Sequence, residues 1–141
     1  MYLRILDLHN NVYKFCITGG SGFIGTNLIR YIKEKNNKTC ILNIDKLPPN
    51  QKKLKKYWFK ADINNINSYS SALKEFKPDF LIHLAADATM NGKSLDDYKT
   101  NTLGVENLVK SFSNLGEDTR IIITSSQHVR KPGTYIYKNI N

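Results

Sequence analysis

"TGGSGFIG", Thr18–Gly25, decides how this chain folds. Ahead of it, "VYKFCIT" (Val12–Thr18) is a short, β-rich apolar run that reads as a buried strand. Behind it, from Phe23, apolar residues at Ile24, Leu28, Ile29 and Ile32 fall on one helical face until Asn36-Asn37 ends the pattern. A glycine-rich turn between strand and helix has a physical use. An early glycine allows the tight turn, Gly22 lets a pyrophosphate approach the backbone, and Gly25 lets helix pack close to strand. The helix N-terminus adds N–H groups and partial positive charge for phosphates. Gly20, Gly22 and Gly25 satisfy G-x-G-x-x-G, while Gly19, Gly22 and Gly25 give a second, three-residue spacing. Gly20 and Gly25 also begin G-x-x-x-x-G-K-[ST], but Thr26 and Asn27 follow, so the lysine of an ATPase loop is missing.

Outward from that loop, strands and helices alternate. "TCILNID" (Thr39–Asp45) is a second apolar strand, punctuated by Pro48-Pro49, and "YWFKADI" contains a brief third. Ser68 to Phe76 suits a helix stopped before Pro78, and "DFLIHLAA" (Asp79–Ala86) is a fourth strand. "SLDDYKTNTLGVENLVKSF" predicts one long helix with Ser94 as its cap and Asp97 completing a capping box. "RIIITSS" (Arg120–Ser126) is the fifth strand. Strands apolar on both faces, alternating with helices, predict a parallel sheet covered on each side. Right-handed crossovers then favour a Rossmann-type, doubly wound α/β sheet of strand order 3-2-1-4-5. Ligands in such a sheet sit at the carboxyl ends of strands one and four, here the loops Gly19–Gly25 and Ala85–Asp87. Asp45, twenty residues past Gly25 at the end of the second strand, can accept both adenosine ribose hydroxyls and would repel a 2′-phosphate. NAD is therefore favoured over NADP, a preference softened by the cation of Lys46.

A chain of 141 residues is one domain by size, with 40% hydrophobic and 23% charged residues. Residues 1–12 read as an extra strand or a tail. No apolar run approaches the roughly 18 residues of a membrane span, and "MYLRILDLHNN" has no signal-peptide pattern. Cys16 and Cys40 both fall inside apolar runs, where buried thiols of a reducing cytoplasm are expected. Much of the net charge of +9 gathers around Trp58, at Lys52, Lys53, Lys55, Lys56 and Lys60. With no nucleic-acid motif beside it, this stretch reads as a solvated surface rather than a nucleic-acid groove. His83, in an apolar strand, reads as a satisfied core histidine, and no cluster has metal-ligand spacing.

Taken together, "TGGSGFIG", "NIDKL", "ADI" (Ala61–Ile63), "LIHLAAD" (Leu81–Asp87), "NTLGVENLV" (Asn101–Val109) and "ITSS" (Ile123–Ser126) make the chain resemble the extended short-chain dehydrogenase/reductase family. The likeness is to its NAD-dependent nucleotide-sugar epimerases and dehydratases, and "TSSQHVRKPG" with "MNGKSLDDY" looks most like a polysaccharide-biosynthesis subset. The resemblance implies that Gly19, Gly22, Phe23, Ile24 and Gly25 hold the cofactor pyrophosphate and Asp45, beside Lys46, the ribose. It puts Asp62 and Ile63 against the adenine, and Leu84, Ala85 and Ala86 on the nicotinamide-ribose side. Asn101 is implied behind the site, and Ser126 as the catalytic hydroxyl that bonds the reacting sugar oxygen.

The family's chemistry also uses a Tyr-x-x-x-Lys pair, the tyrosine as acid or base and the lysine to lower its pKa. After Ser126 the tyrosines are Tyr135 and Tyr137, followed four residues on by Asn139 and Asn141. The expectation is therefore the truncated cofactor-binding part of a longer enzyme, its sheet incomplete on the C-terminal side and inactive alone. The alternative is a catalytically inactive dinucleotide-binding module with a regulatory or redox-responsive role. The expected partner is a nucleotide-sugar substrate, with neither nucleic acid nor membrane. An exposed fifth strand predicts a homo-oligomer or self-association through the sheet edge, or else marginal stability.

Overall fold

The computed structural model describes residues 11–89, 92–112 and 118–126. At its centre is β1 (Lys14–Thr18), buried after its first residue because a strand lies on either side of it. β2 (Cys40–Asp45) and β4 (Phe80–His83) flank β1 in parallel, and β3 (Trp58–Lys60) and β5 (Arg120–Ile123) pair outside them. The order β3-β2-β1-β4-β5 is the expected one.

Alternation along the strands builds two apolar layers. Phe15 and Ile17 point to one face, where α1 (Phe23–Lys35) supplies Ile29 and Ile32 and a 3-10 helix, Lys52–Tyr57, supplies Leu54. The rings of Phe15 and Phe80 stack there at 4.9 Å. Cys16, Ile44 and Leu81 point to the other face, covered by Leu73 of α2 (Ser70–Phe76) and Leu108 of α3 (Lys99–Phe112).

Several elements differ in extent from the sequence reading. β4 ends at His83 rather than Ala86, because beyond the Thr18–His83 pair the chain leaves β1 to form one wall of a cleft. β5 likewise stops at Ile123, where its pairing with β4 ends. A short 3-10 helix, Ile66–Ser68, precedes α2. The long helix expected from Ser94 is a 3-10 helix, Leu95–Tyr98, followed by α3, although the capping box at Ser94 and Asp97 forms as read. Cys16 is buried, and its thiol pKa is pushed up by burial. Cys40 is exposed, correcting the reading of two buried thiols: it opens β2 opposite the exposed Lys14, outside the core. Ile121, Ile122 and Ile123 of β5, the last strand in the sheet order, are all exposed. Among the described residues no helix is long and apolar enough to cross a membrane. The segments 1–10 and 127–141, including His128, Tyr135 and Tyr137, lie outside the described residues.

Candidate dinucleotide site

The glycine loop is built by close backbone approach. Gly19 has φ of +69°, and a Cβ there would lie 2.6 Å from the Ala85 nitrogen. The loop leaving β1 thus rests on the backbone leaving β4, with no room for a side chain between them. A Cβ on Gly25 would come within 2.4 Å of the Gly20 Cα, so the first turn of α1 sits directly on the loop. The turn is closed by Gly22 N–H donating to the Gly19 carbonyl at 3.1 Å. Gly22 is the N-cap of α1, and no side chain caps that helix end.

Above this loop opens a cleft of about 410 Å³. Gly19 and Gly22 line its floor, Asp45, Lys46, Asp62 and Ile63 one wall, and the segment Leu84–Asp87 the other. The Asp45 carboxylate accepts from the Ser21 N–H and the Leu47 N–H, each at 3.0 Å. An ionised carboxylate has about four acceptor positions, so capacity remains for two hydroxyls. The carbonyl of Asp45 accepts the Trp58 indole N–H at 2.8 Å, which seats the tryptophan beside this wall. Asp62 both turns the chain and faces the cleft, since its carboxylate accepts the Asn64 N–H at 2.9 Å.

One helix braces both walls. The Asn101 side chain donates to the Asp87 carbonyl at 2.8 Å and accepts the Asp87 N–H at 2.7 Å, a paired amide contact that fixes the β4 side. Asn107 donates to the carbonyls of Asn64 at 2.9 Å and Ile63 at 3.3 Å, fixing the β3 side. Between them Gly104 lets Ile63 against the helix, where a Cβ would meet the Ile63 Cγ2 at 2.9 Å. Thr100 and Asn107 were not singled out in the sequence, although positions 100, 101, 104, 107 and 108 form one helical stripe. Asp87 and Thr89 also line the cleft, and hydrogen bonds from Thr89, aided by the Lys46 charge, hold the Asp87 carboxyl below its ordinary range.

Beneath the cleft Thr18 and His83 close the β1–β4 seam. The Thr18 hydroxyl accepts the Ala85 N–H at 3.4 Å and shares a hydrogen bond of 2.6 Å with the His83 Nδ1. His83 is 2% exposed, and either neutral tautomer of its ring can make this bond. Burial lowers its pKa below the ordinary 6.5. The unfolded chain takes up this proton first as pH falls, so the stability His83 contributes is present above about pH 6.5 and is lost progressively below it. Urea melts at pH 7.5, 6.0 and 5.0 are expected to show this loss, and His83→Gln to flatten it; an equal slope in the variant would assign the acid sensitivity elsewhere.

The remaining sequence-read residues occupy different places. Phe23 and Ile24 sit on the first turn of α1 with side chains 85% and 64% exposed, outside the lining of the cleft. Gly25 is buried under the loop and Asn101 stands behind the Asp87 wall. Ser126 is exposed, three residues past the end of β5. A Tyr-x-x-x-Lys spacing does occur at Tyr31 and Lys35, but it lies on α1, with the lysine ammonium 5.5 Å from the tyrosine ring and neither residue in the cleft.

A parallel sheet of this order, a glycine loop under a helix N-terminus and an acid ending β2 fit the pyrophosphate and ribose of a dinucleotide. Residues 15–138 match the NAD dependent epimerase/dehydratase family, and the chain belongs to that family. It is 36% identical over 104 residues to a GDP-6-deoxy-D-talose 4-dehydrogenase of Aggregatibacter actinomycetemcomitans, covering 72% of this chain and 31% of that protein. It is 37% identical over 111 residues to a dTDP-glucose 4,6-dehydratase of Haemophilus influenzae, covering 70% of this chain and 32% of the relative. The chain thus spans about a third of the length of these curated relatives. Among solved structures it is similar to the ADP-L-glycero-D-manno-heptose-6-epimerase of Helicobacter pylori, with TM-score 0.70 and 27% identity over 94% of this chain and 45% of that one. It also resembles the UDP-glucose 4-epimerase of Thermus thermophilus solved with NAD, with TM-score 0.59 and 26% identity over 70% of this chain and 33% of that one.

Proposed function

We propose that these residues form the NAD-binding part of an epimerase or dehydratase acting on a nucleotide-linked sugar. The observation that carries the reading is the Gly19 loop packed on Ala85 with the Asp45 carboxylate facing the same cleft. Gly22 and the α1 N-terminus take the pyrophosphate, Asp45 the adenosine ribose hydroxyls, and Asp62 and Ile63 the adenine. The small Ala85 and Ala86 leave space on the nicotinamide side. When bound, NAD supplies the acceptor for a hydride leaving a sugar carbon. Ser126 is the hydroxyl assigned to the reacting sugar oxygen.

No Tyr-x-x-x-Lys follows Ser126 within the 141 residues, so the group that would move the sugar hydroxyl proton is not among them. A second reading is a dinucleotide-binding module without turnover. Both readings require the cofactor site, and Trp58 reports on it. Titration with NADH, followed by energy transfer from Trp58, is expected to saturate at about micromolar concentration. Asp45→Asn is expected to weaken NADH about tenfold and to narrow its advantage over NADPH. Failure of both dinucleotides to bind would remove the common basis of the two readings. A titration with nucleotide-linked sugar and NAD, read by absorbance of reduced cofactor, then separates an active chain from a binding module.

A further inference from the structure

A second concavity, of about 210 Å³, lies between α1 and the 3-10 helix Lys52–Tyr57. Leu54, 4% exposed, anchors that short helix in the core beside Ile29 and Ile32. With Leu54 fixed, Lys53 and Lys56 flank the opening and face Arg30 and Lys33 of α1. Four cations therefore line a small cleft whose lining contains one acid, Glu34. Its contact with Arg30 is an exposed pair at 4.0 Å, which neutralises little.

Two of the cations are held in place. The Lys33 ammonium donates to the carbonyls of Thr39, at 2.7 Å, and Asn37, which leaves one of its three N–H groups for a ligand. The same ammonium lies 5.6 Å from the centre of the Tyr57 ring, and that of Lys56 lies 5.0 Å from it. One ring thus gathers two like charges at the cleft, an arrangement that an anion between them would relieve. The volume is below the roughly 300–1,000 Å³ of sites for drug-sized molecules, so a dinucleotide is too large and a compact anion fits.

We propose that this cleft is an oligophosphate site separate from the dinucleotide cleft, with inorganic pyrophosphate as its simplest ligand. Lys53 and Lys56 close on the anion from one side, and Lys33 with Arg30 from the other. Calorimetric titration of the 141-residue chain with sodium pyrophosphate is expected to show one saturable site, with a dissociation constant of about 1 mM at low ionic strength. Saturating NADH should leave this binding unchanged. The double variant Lys53→Gln/Lys56→Gln should weaken pyrophosphate at least about tenfold and leave NADH binding as it was, whereas Lys74→Gln on α2 should change neither.

Displacement of pyrophosphate by NADH would place the anion in the dinucleotide cleft and overturn the proposal. So would equal weakening by Lys74→Gln, which would indicate diffuse attraction to net charge, or failure to saturate. Tight binding of a mixed-sequence oligonucleotide where pyrophosphate does not bind would overturn it in favour of a polynucleotide surface.

Discussion

Gly19→Ala is expected to abolish saturable NADH binding and to lower stability by about 2–5 kcal/mol. Two costs combine. The φ of +69° at Gly19 is a left-handed conformation that disfavours a Cβ by about 1–2 kcal/mol. The Cβ would also stand 2.6 Å from one backbone atom of Ala85 and 2.8 Å from another. Backbone cannot rotate away as a side-chain end can, so the β1 and β4 loops must separate, an overpacking cost of about 1–3 kcal/mol. Separation widens the floor of the cleft, where the proposed function seats the pyrophosphate. Gly22→Ala provides the contrast. Its nearest neighbour would be the Gly19 carbonyl oxygen at 3.3 Å, a contact that a small shift accommodates. NADH titration and urea melts of the two variants check the ranking; equal loss in both would mean that the loop tolerates no side chain anywhere, and that the Gly19–Ala85 contact has no special place.

Leu108→Ala is expected to cost about 2–5 kcal/mol, the usual range for a fully buried leucine. Leu108 is 0% exposed and packs in the layer with Cys16, Ile44 and Leu81. Folded domains of this kind are stable by about 5–15 kcal/mol in total, so the loss is a large fraction. Its effect should extend past stability. α3 carries Asn101 and Asn107, the two amides that brace opposite walls of the cleft, and Leu108 seats that helix on the sheet. NADH affinity should therefore fall together with the melting temperature. Val109→Ala, one residue on and 53% exposed, should change neither by a comparable amount. A Leu108 variant that melts lower but binds NADH with unchanged affinity would uncouple α3 from the cleft.

The sheet order could be read from the sequence because apolar strands and amphipathic helices alternate without interruption, and crossover handedness leaves few ways to wind them. The location of the cleft followed from that order, and Gly19, Gly22, Asp45 and Asp62 do line it. What escaped was whatever depends on where the chain departs from its neighbour. "DFLIHLAA" is apolar throughout, yet only Phe80–His83 pairs, because hydropathy does not mark the residue at which a strand peels away. Cys40 sits in an apolar run but opens its strand opposite Lys14, where no layer covers it. Phe23 and Ile24 are apolar and exposed, since the first turn of α1 rises from the loop before the helix reaches the sheet. Asn107 was invisible for another reason: an asparagine in a helix is ordinarily solvated, and only the carbonyls of Ile63 and Asn64 across the fold give it a task.

α1 follows its N-cap Gly22 without a side chain to satisfy its first N–H groups. Most helices complete that end with a serine, threonine or aspartate of their own. On the proposed cofactor placement, the anion that arrives with the dinucleotide is the missing end-group, and part of the secondary structure is then supplied from solution. Occupancy and folding then share one free energy, and dinucleotide at about a hundred times its dissociation constant would add about 2.7 kcal/mol to stability. The concentration of dinucleotide around the chain becomes a determinant of how long the protein stays folded, as well as of what it can bind.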